Sequence, residues 1–171
     1  MLKQRLVFIV AAVSIATSCF ANTEANFRKS ISGICAGFAN AFYSKNANWF
    51  DQNSTSKLIY VNLKGKKQDR KEVLEGMKRL FSAATSVKAK VTCGAVRFLN
   101  GIGSHNNTVV STVVIAEPNG KLHTMVATAT TEDAFKWDGG KWKYFRITEL
   151  KVPTYVLDGK PFIPGTPPPS K

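Results

Sequence analysis

The stretch K-L-H-T-M-V-A-T-A-T-T-E-D-A-F-K-W-D-G-G-K-W-K-Y-F-R-I-T-E-L-K-V-P, residues 121–153, decides the fold. Two long strand-like runs flank Gly139-Gly140, and a Gly-Gly pair in that setting signals a β-hairpin with a two-residue turn. Counting outward, Asp138 faces Lys141, Trp137 faces Trp142, Phe135 faces Tyr144, Asp133 faces Arg146 and Thr131 faces Thr148. Side chains alternate faces along a strand, so these rungs share one side of the sheet. That side is expected to carry an aromatic band, an Asp133–Arg146 ion pair and a hydroxyl rung. The pairing depends on register, because a slip of one residue exchanges Asp133 for Glu132.

Upstream, residues 87–100 alternate an apolar set (Val87, Ala89, Val91, Cys93, Ala95) with a more polar one, as a strand with one buried side does. Residues 101–107 read as a turn that leaves His105 in solvent, and residues 108–116, rich in Val, Ile and Thr, read as a central strand. Glu117-Pro118-Asn119-Gly120 is a second turn. The first half of the chain is helical in pattern. Phe27, Ile31, Ile34, Phe38 and Phe42 recur at three- and four-residue steps over residues 26–45. Asn48 is placed to cap a short helix over 49–53, and residues 57–62 form a short strand. Asp69 with Glu72 makes a capping box for a helix that runs to about Ala84.

The ends are of a different kind. Residues 1–21 open with Lys3 and Arg5, continue with an apolar run and finish in T-S-C-F-A, the layout of a secretory signal peptide. Cleavage falls after Ala21 or after Ala25; the alternative reading makes Cys19 a lipoprotein anchor. The apolar run is short of the ~20 residues of a membrane-spanning helix. The chain is therefore expected to be exported, periplasmic or extracellular, with no transmembrane segment after processing. The domain is expected over 22–157 and a flexible, Pro-rich tail over 158–171. Export leaves Cys35 and Cys93, which either pair as a disulfide or persist as buried thiols. The two His residues and the absence of C-x-x-C give no metal-ligand spacing, so neither a metal nor a cofactor is expected.

The formal net charge of +13 favours acidic partners. Its one concentration is Lys64, Lys66, Lys67, Arg70 and Lys71, a possible anion-binding set just before a helix. The remaining cations are scattered, which argues against specific nucleic-acid binding. Helices followed by a run of strands indicate an α+β domain.

The segments I-C-A-G-F-A-N-A-F-Y-S-K-N-A-N-W-F, L-I-Y-V-N-L-K-G, R-K-E-V-L-E-G-M-K-R-L-F and W-D-G-G-K-W-K-Y-F-R-I resemble, in this order, the nuclear transport factor 2-like superfamily, in its SnoaL-like and ketosteroid-isomerase-like branch. The resemblance implies a cone: a strongly curved antiparallel sheet wrapped around N-terminal helices, with a ligand cavity inside. It also implies sheet-faced homodimers. In ketosteroid-isomerase-like members a carboxylate after the first strand abstracts a proton, while a helix-one Tyr and a protonated acid hold the oxyanion. The base position falls here at Asn62, which accepts no proton near neutral pH. The Tyr position falls near Phe38, with Tyr43 several residues on, and the second acid falls at Asp133 or Glu132.

The expectation is thus a non-catalytic domain that binds a small hydrophobic or anionic ligand, or a protein partner. Tyr43, Tyr60, Asn62, Trp142, Tyr144 and Arg146 are its expected ligand-binding residues. One alternative is a cofactor-free lyase, isomerase or hydrolase acting on a small hydrophobic substrate through Asp133 or Glu132. The other is a polyanion or cell-envelope binder working through the basic surface.

Overall fold

A computed structural model describes residues 23–164; the segment expected to be a signal peptide and the end of the tail lie outside the described residues. Helix α1 (Glu24–Tyr43) starts at Thr23, whose hydroxyl accepts from the Asn26 amide at 3.2 Å. Its stripe of Phe27, Ile31 and Phe42 is buried. The short α2 (Ala47–Gln52) is capped by Asn46 rather than Asn48, through a 3.2 Å bond from the Trp49 amide to Asn46 Oδ1. Strands β1 (Ser54–Val61) and β2 (Lys67–Asp69) lead into α3 (Arg70–Ala83). Both halves of the Asp69–Glu72 capping box form, at 2.9 Å each. Then come β3 (Ala84–Leu99), β4 (Ile102–Ala116), β5 (Leu122–Asp138), β6 (Lys141–Glu149), β7 (Thr154–Leu157) and β8 (Lys160–Pro161).

The architecture is α+β: one large, curved, unclosed sheet in the order β2-β1-β6-β5-β4-β3, with helices against its concave side. The sheet is mixed, since β1 runs parallel to β6 and the other pairs are antiparallel. On the edge away from β4, β5 serves two partners. Its C-terminal half pairs with β6, and its N-terminal half pairs with β7. β8 extends the sheet to Pro161, beyond the domain end expected at 157.

The β5–β6 hairpin turns at Gly139-Gly140, with Asp138 opposite Lys141, Trp137 opposite Trp142 and Phe135 opposite Tyr144. Beyond that rung an extra residue, Phe145, bulges out of β6, so Ala134 meets Arg146 and Asp133 meets Ile147. The expected Asp133–Arg146 pair is therefore absent, and Arg146 is exposed on the convex face beside the Phe145 ring. A bulge in β3 has the same effect: Cys93 pairs with Asn107 but Val96 pairs with His105. Ala95, expected on the apolar side, is exposed, and Val96 and Phe98 turn inward instead. A bulge adds one residue to one strand, bends it and resets the facing of all that follows.

The expected turn over 101–107 is also shorter. Asn100 and Gly101 alone reverse the chain, at φ 51° and 74°, and β4 begins at Ile102. An Asn-Gly pair at positive φ is the favoured two-residue hairpin turn. His105 consequently lies inside a strand.

Two apolar clusters occupy the concavity. One is built on Phe27, Phe135, Trp142 and Tyr144, the other on Phe42, Phe81, Val87 and Val113. Phe27 is fully buried, its ring centroid 5.0 Å from that of Trp142 and 5.6 Å from that of Phe135. It occupies the space above Gly103, where an added Cβ would come within 2.4 Å of the ring. Gly103→Ala should cost about 1–3 kcal/mol in urea unfolding, the range for forcing volume into a packed core. Gly76→Ala, on a helix surface with nothing within 4 Å, should gain about 0.5–1 kcal/mol in the same assay.

Candidate functional site

Between the two clusters, α1, α2 and α3 stand off from the sheet and leave a cavity of about 360 Å³. That is within the size range of small-molecule sites. Phe38, Phe42, Phe50, Val73 and Met77 form its helical wall; Val109, Ala127, Ala129 and Ile147 form its sheet wall. The sheet wall is shaped by small residues, since Ser111, Ala127 and Ala129 leave room that Val or Leu would fill.

The polar floor is Asn107, Thr131 and Asp133, from adjacent inward-facing positions of β4 and β5. Asp133 is 2 % exposed. Its Oδ1 accepts from the Thr131 hydroxyl at 2.7 Å, and its Oδ2 accepts from Asn107 Nδ2 at 3.0 Å. Burial pushes the carboxyl pKa up, and this outweighs the downward pull of the Thr131 hydroxyl, of His105 and of the Asn107 amide. Asn107 Oδ1 is buried and has no hydrogen-bond partner. The floor thus holds a buried acceptor without a partner and a carboxyl that favours its proton, beneath an otherwise apolar chamber. Such a floor suits a ligand that is apolar in bulk with a single hydroxyl or carbonyl.

At the mouth, Tyr60 on β1 gives its hydroxyl hydrogen to Glu149 Oε1, while Glu149 Oε2 accepts from the Leu63 amide at 3.1 Å. Burial and then the Glu149 bond raise the Tyr60 pKa. Tyr155 on β7 and Pro153 line the mouth from the other side. β7 is tied down by His123. The His123 Nδ1 lies 2.6 Å from Asp158 Oδ2, and its Nε2 lies 2.6 Å from Glu117 Oε1. Carboxylates only accept, so the two contacts favour the form in which both ring nitrogens carry hydrogen, the imidazolium. Accordingly the bonds to Asp158 and Glu117 raise the His123 pKa. The Thr124 amide and then His123 lower that of Asp158, and His123 lowers that of Glu117.

The structure scatters the residues picked out from sequence. Tyr60 and Asp133 reach the cavity. Trp142 and Tyr144 are core residues, 4 % exposed each, packed around Phe27 and Phe135. Tyr43 is 72 % exposed at the end of α1, because the buried stripe has already passed through Phe42. Arg146 faces outward because of the Phe145 bulge. Glu132 also faces outward, 3.7 Å from Arg97. Asn62 is a turn residue, its Oδ1 accepting from the amides of Lys64 and Lys66. Of the basic set, Lys64, Lys66, Lys67 and Lys71 are exposed, while Arg70 is bonded to Asp51 and Ser54. The groove beside Arg70 and Lys71 also carries Asp51, Asp69 and Glu75, so it is mixed in charge rather than a uniform anion site.

Asn107, Ser111, Ala127 and Ala129 were not legible as site residues. They are inward positions of strands, which sequence reads as ordinary alternation. His105, expected in a solvated turn, is 1 % exposed and stacks on Phe135 at 5.5 Å. Cys35 and Cys93 are joined as a disulfide between α1 and β3, with Cα atoms 6.5 Å apart, closing a loop of 58 residues. Such a loop contributes about 4 kcal/mol in the chain-entropy view.

This geometry is that of the nuclear transport factor 2-like fold, and solved structures of the same fold resemble the chain. A proposed aromatic ring hydroxylase from Novosphingobium aromaticivorans superposes with a TM-score of 0.62 at 16% identity, over 78% of this chain and 96% of that one. A proposed scytalone dehydratase from the same organism gives 0.61 at 8% identity, over 74% and 85%. A proposed dehydratase of the nuclear transport factor 2-like family from Streptomyces avermitilis gives 0.58 at 13% identity, over 74% and 96%. At these identities the likeness establishes the fold. No family model matches the sequence, and no curated protein matches it.

The His123 clamp has a defined pH signature. Its raised pKa stabilises the folded chain fully below the unfolded value of 6.5, and that contribution is lost as pH rises through the folded value. The lowered pKa values of Glu117 and Asp158 act above their unfolded values of 4.5 and 3.8 and are lost as pH falls through the folded ones. The thermal-stability advantage of the wild type over His123→Gln should therefore be greatest in mildly acidic solution. It should shrink toward both lower and alkaline pH when the two proteins are melted in parallel.

Proposed function

We propose that the chain is an exported binding domain that takes a small, largely apolar molecule with one hydroxyl or carbonyl into the cavity over Asn107, Thr131 and Asp133. The observation that carries this reading is the buried acceptor of Asn107 beside a carboxyl pushed toward its neutral form, at the floor of an apolar chamber. A neutral Asp133 donates to a ligand oxygen, and Asn107 Oδ1 accepts from a ligand hydroxyl. The signal-like start of the sequence supports export. Among the described residues no helix is long and apolar enough to cross a membrane. The amide at Asn62, where related enzymes carry a base, supports binding without proton abstraction.

A second reading, a cofactor-free lyase or isomerase on a small hydrophobic substrate, has one observation of its own. His105 sits directly across the strand pair from Asp133, and both are buried. In that reading Asp133 in its acid form would protonate a leaving group or hold an enolate oxygen. The dehydratases of the same fold support this chemistry as a class.

Naphthol, an apolar body with one hydroxyl, serves as the probe, and naphthalene as its control. Naphthol should bind saturably, as seen by its fluorescence. Ala129→Trp, which fills the chamber, should weaken binding at least about tenfold without lowering the melting temperature. Asp133→Asn should weaken naphthol by about 1–2 kcal/mol and leave naphthalene unchanged. Absence of saturable binding, or full binding by Ala129→Trp, would overturn the cavity reading. Turnover of a small hydroxylated or keto substrate that disappears in Asp133→Asn, with naphthalene still bound, would favour the enzyme.

A further inference from the structure

We propose that Cys35, Cys93 and His105 form a zinc site that becomes available when the disulfide is reduced. The two sulfurs and a ring nitrogen of His105 lie within 4.8 Å of one another, although the residues come from α1, β3 and β4. His105 is 1 % exposed, and its Nδ1 lies 2.9 Å from the Asn106 carbonyl. A carbonyl only accepts, so Nδ1 carries the hydrogen. In the neutral ring this leaves the lone pair on Nε2, and Nε2 is buried without any hydrogen-bond partner. An Nδ1–H held by a backbone carbonyl is the arrangement that orients metal-binding imidazoles. A buried, unpartnered polar atom is costly, and coordination would satisfy it.

Charge and geometry select the ion. Two thiolates and a neutral imidazole around Zn2+ sum to zero, which suits a site packed against Ile31, Phe135 and Tyr144. Zn–S bonds of about 2.3 Å and Zn–N bonds of about 2.0–2.1 Å put tetrahedral ligand atoms roughly 3.5–3.8 Å apart. Small side-chain rotations reach that spacing once the S–S bond is broken. The fourth position is left to water, the arrangement of an open rather than closed site. The site adjoins the cavity floor without sharing its groups: Cys93 pairs with Asn107, and His105 pairs with Asp133. It does not depend on the ligand proposed above.

The chemistry balances as follows. A phosphine reductant and one water convert the disulfide to two thiols and become a phosphine oxide. Zn2+ then displaces two thiol protons to solvent. The disulfide and the zinc site are alternative states of the same two sulfurs, and metal affinity accordingly falls as pH falls.

Cobalt reports the ligands directly. The full chain, reduced with a phosphine without oxygen, should take one Co2+ with tetrahedral d–d bands and a thiolate-to-cobalt charge-transfer band. One equivalent of Zn2+ should bleach both. The oxidised chain should show neither. Zinc should protect both cysteines from alkylation, and His105→Ala should bind cobalt at least about tenfold more weakly. His105 is a core residue, so the wild type supplies a second measurement. Of its two histidines, His105 alone should show imidazole NMR resonances that move on zinc addition. A reduced chain without the charge-transfer band, or zinc binding that leaves the His105 resonances in place, would overturn the proposal.

Discussion

Two bulges, at Gly94–Ala95 in β3 and at Phe145 in β6, determine which side chains meet inside the sheet. Each restarts the alternation of faces one residue out of step. They flank the rung that runs from Val96 through His105 and Asp133 to Ile147, so the sheet bends around that rung from both sides. Without the β6 bulge, Asp133 would face Arg146 across the hairpin and stand beside a permanent cation. With it, Asp133 faces an isoleucine and has only neutral donors. An ion pair becomes a dehydrated carboxyl.

That exchange sets the electrostatics of the interior. In an apolar chamber a carboxyl loses more by giving up hydration than two neutral hydrogen bonds restore, so its protonated form is favoured. Other carboxylates stand instead at the rim. Glu149 holds Tyr60, and Glu117 and Asp158 hold His123, where water still reaches them. The strap carrying Tyr155 is thereby anchored by the His123 contacts, while burial disfavours charge on the floor beneath it. A cavity of this kind is matched to ligands whose polarity is confined to one end.

The packing around Phe27 shows how little tolerance there is. A ring from the first turns of α1 fills the volume that Gly103 vacates on β4 and meets Phe135 and Trp142 on the far strands. One contact therefore fixes the distance of α1 from the sheet, and with it the height of the cavity roof at Phe38 and Phe42. The Cys35–Cys93 bridge acts on the same helix two turns later. Its redox state bears on α1 and on the strand that borders Asn107.

Much of the architecture was written in local pattern. The Gly139-Gly140 turn, the aromatic rungs next to it, the Asp69–Glu72 capping box and the apolar stripe of α1 rest on neighbours in sequence, where spacing and turn chemistry suffice. The α+β class follows from their order, and the cone is what the resemblance to the nuclear transport factor 2-like superfamily implies. The Asn100-Gly101 turn is equally local, but the polar run that follows it extends the turn signal to residue 107 and so puts His105 in water instead of in a strand. The site was largely illegible for a different reason. No residue of Y-F-R announces the bulge in β6, and Gly94 is the one local hint of the bulge in β3. Sequence thus determined the helices, the long strands, their order and the hairpin's first rungs, because those depend on short-range geometry, while the short strands β2, β7 and β8 were not legible in it. Tertiary structure alone decided that Asp133 is buried without a cation, that Arg146 points outward, and that two cysteines and a histidine from three elements converge, because sheet curvature decides which faces meet.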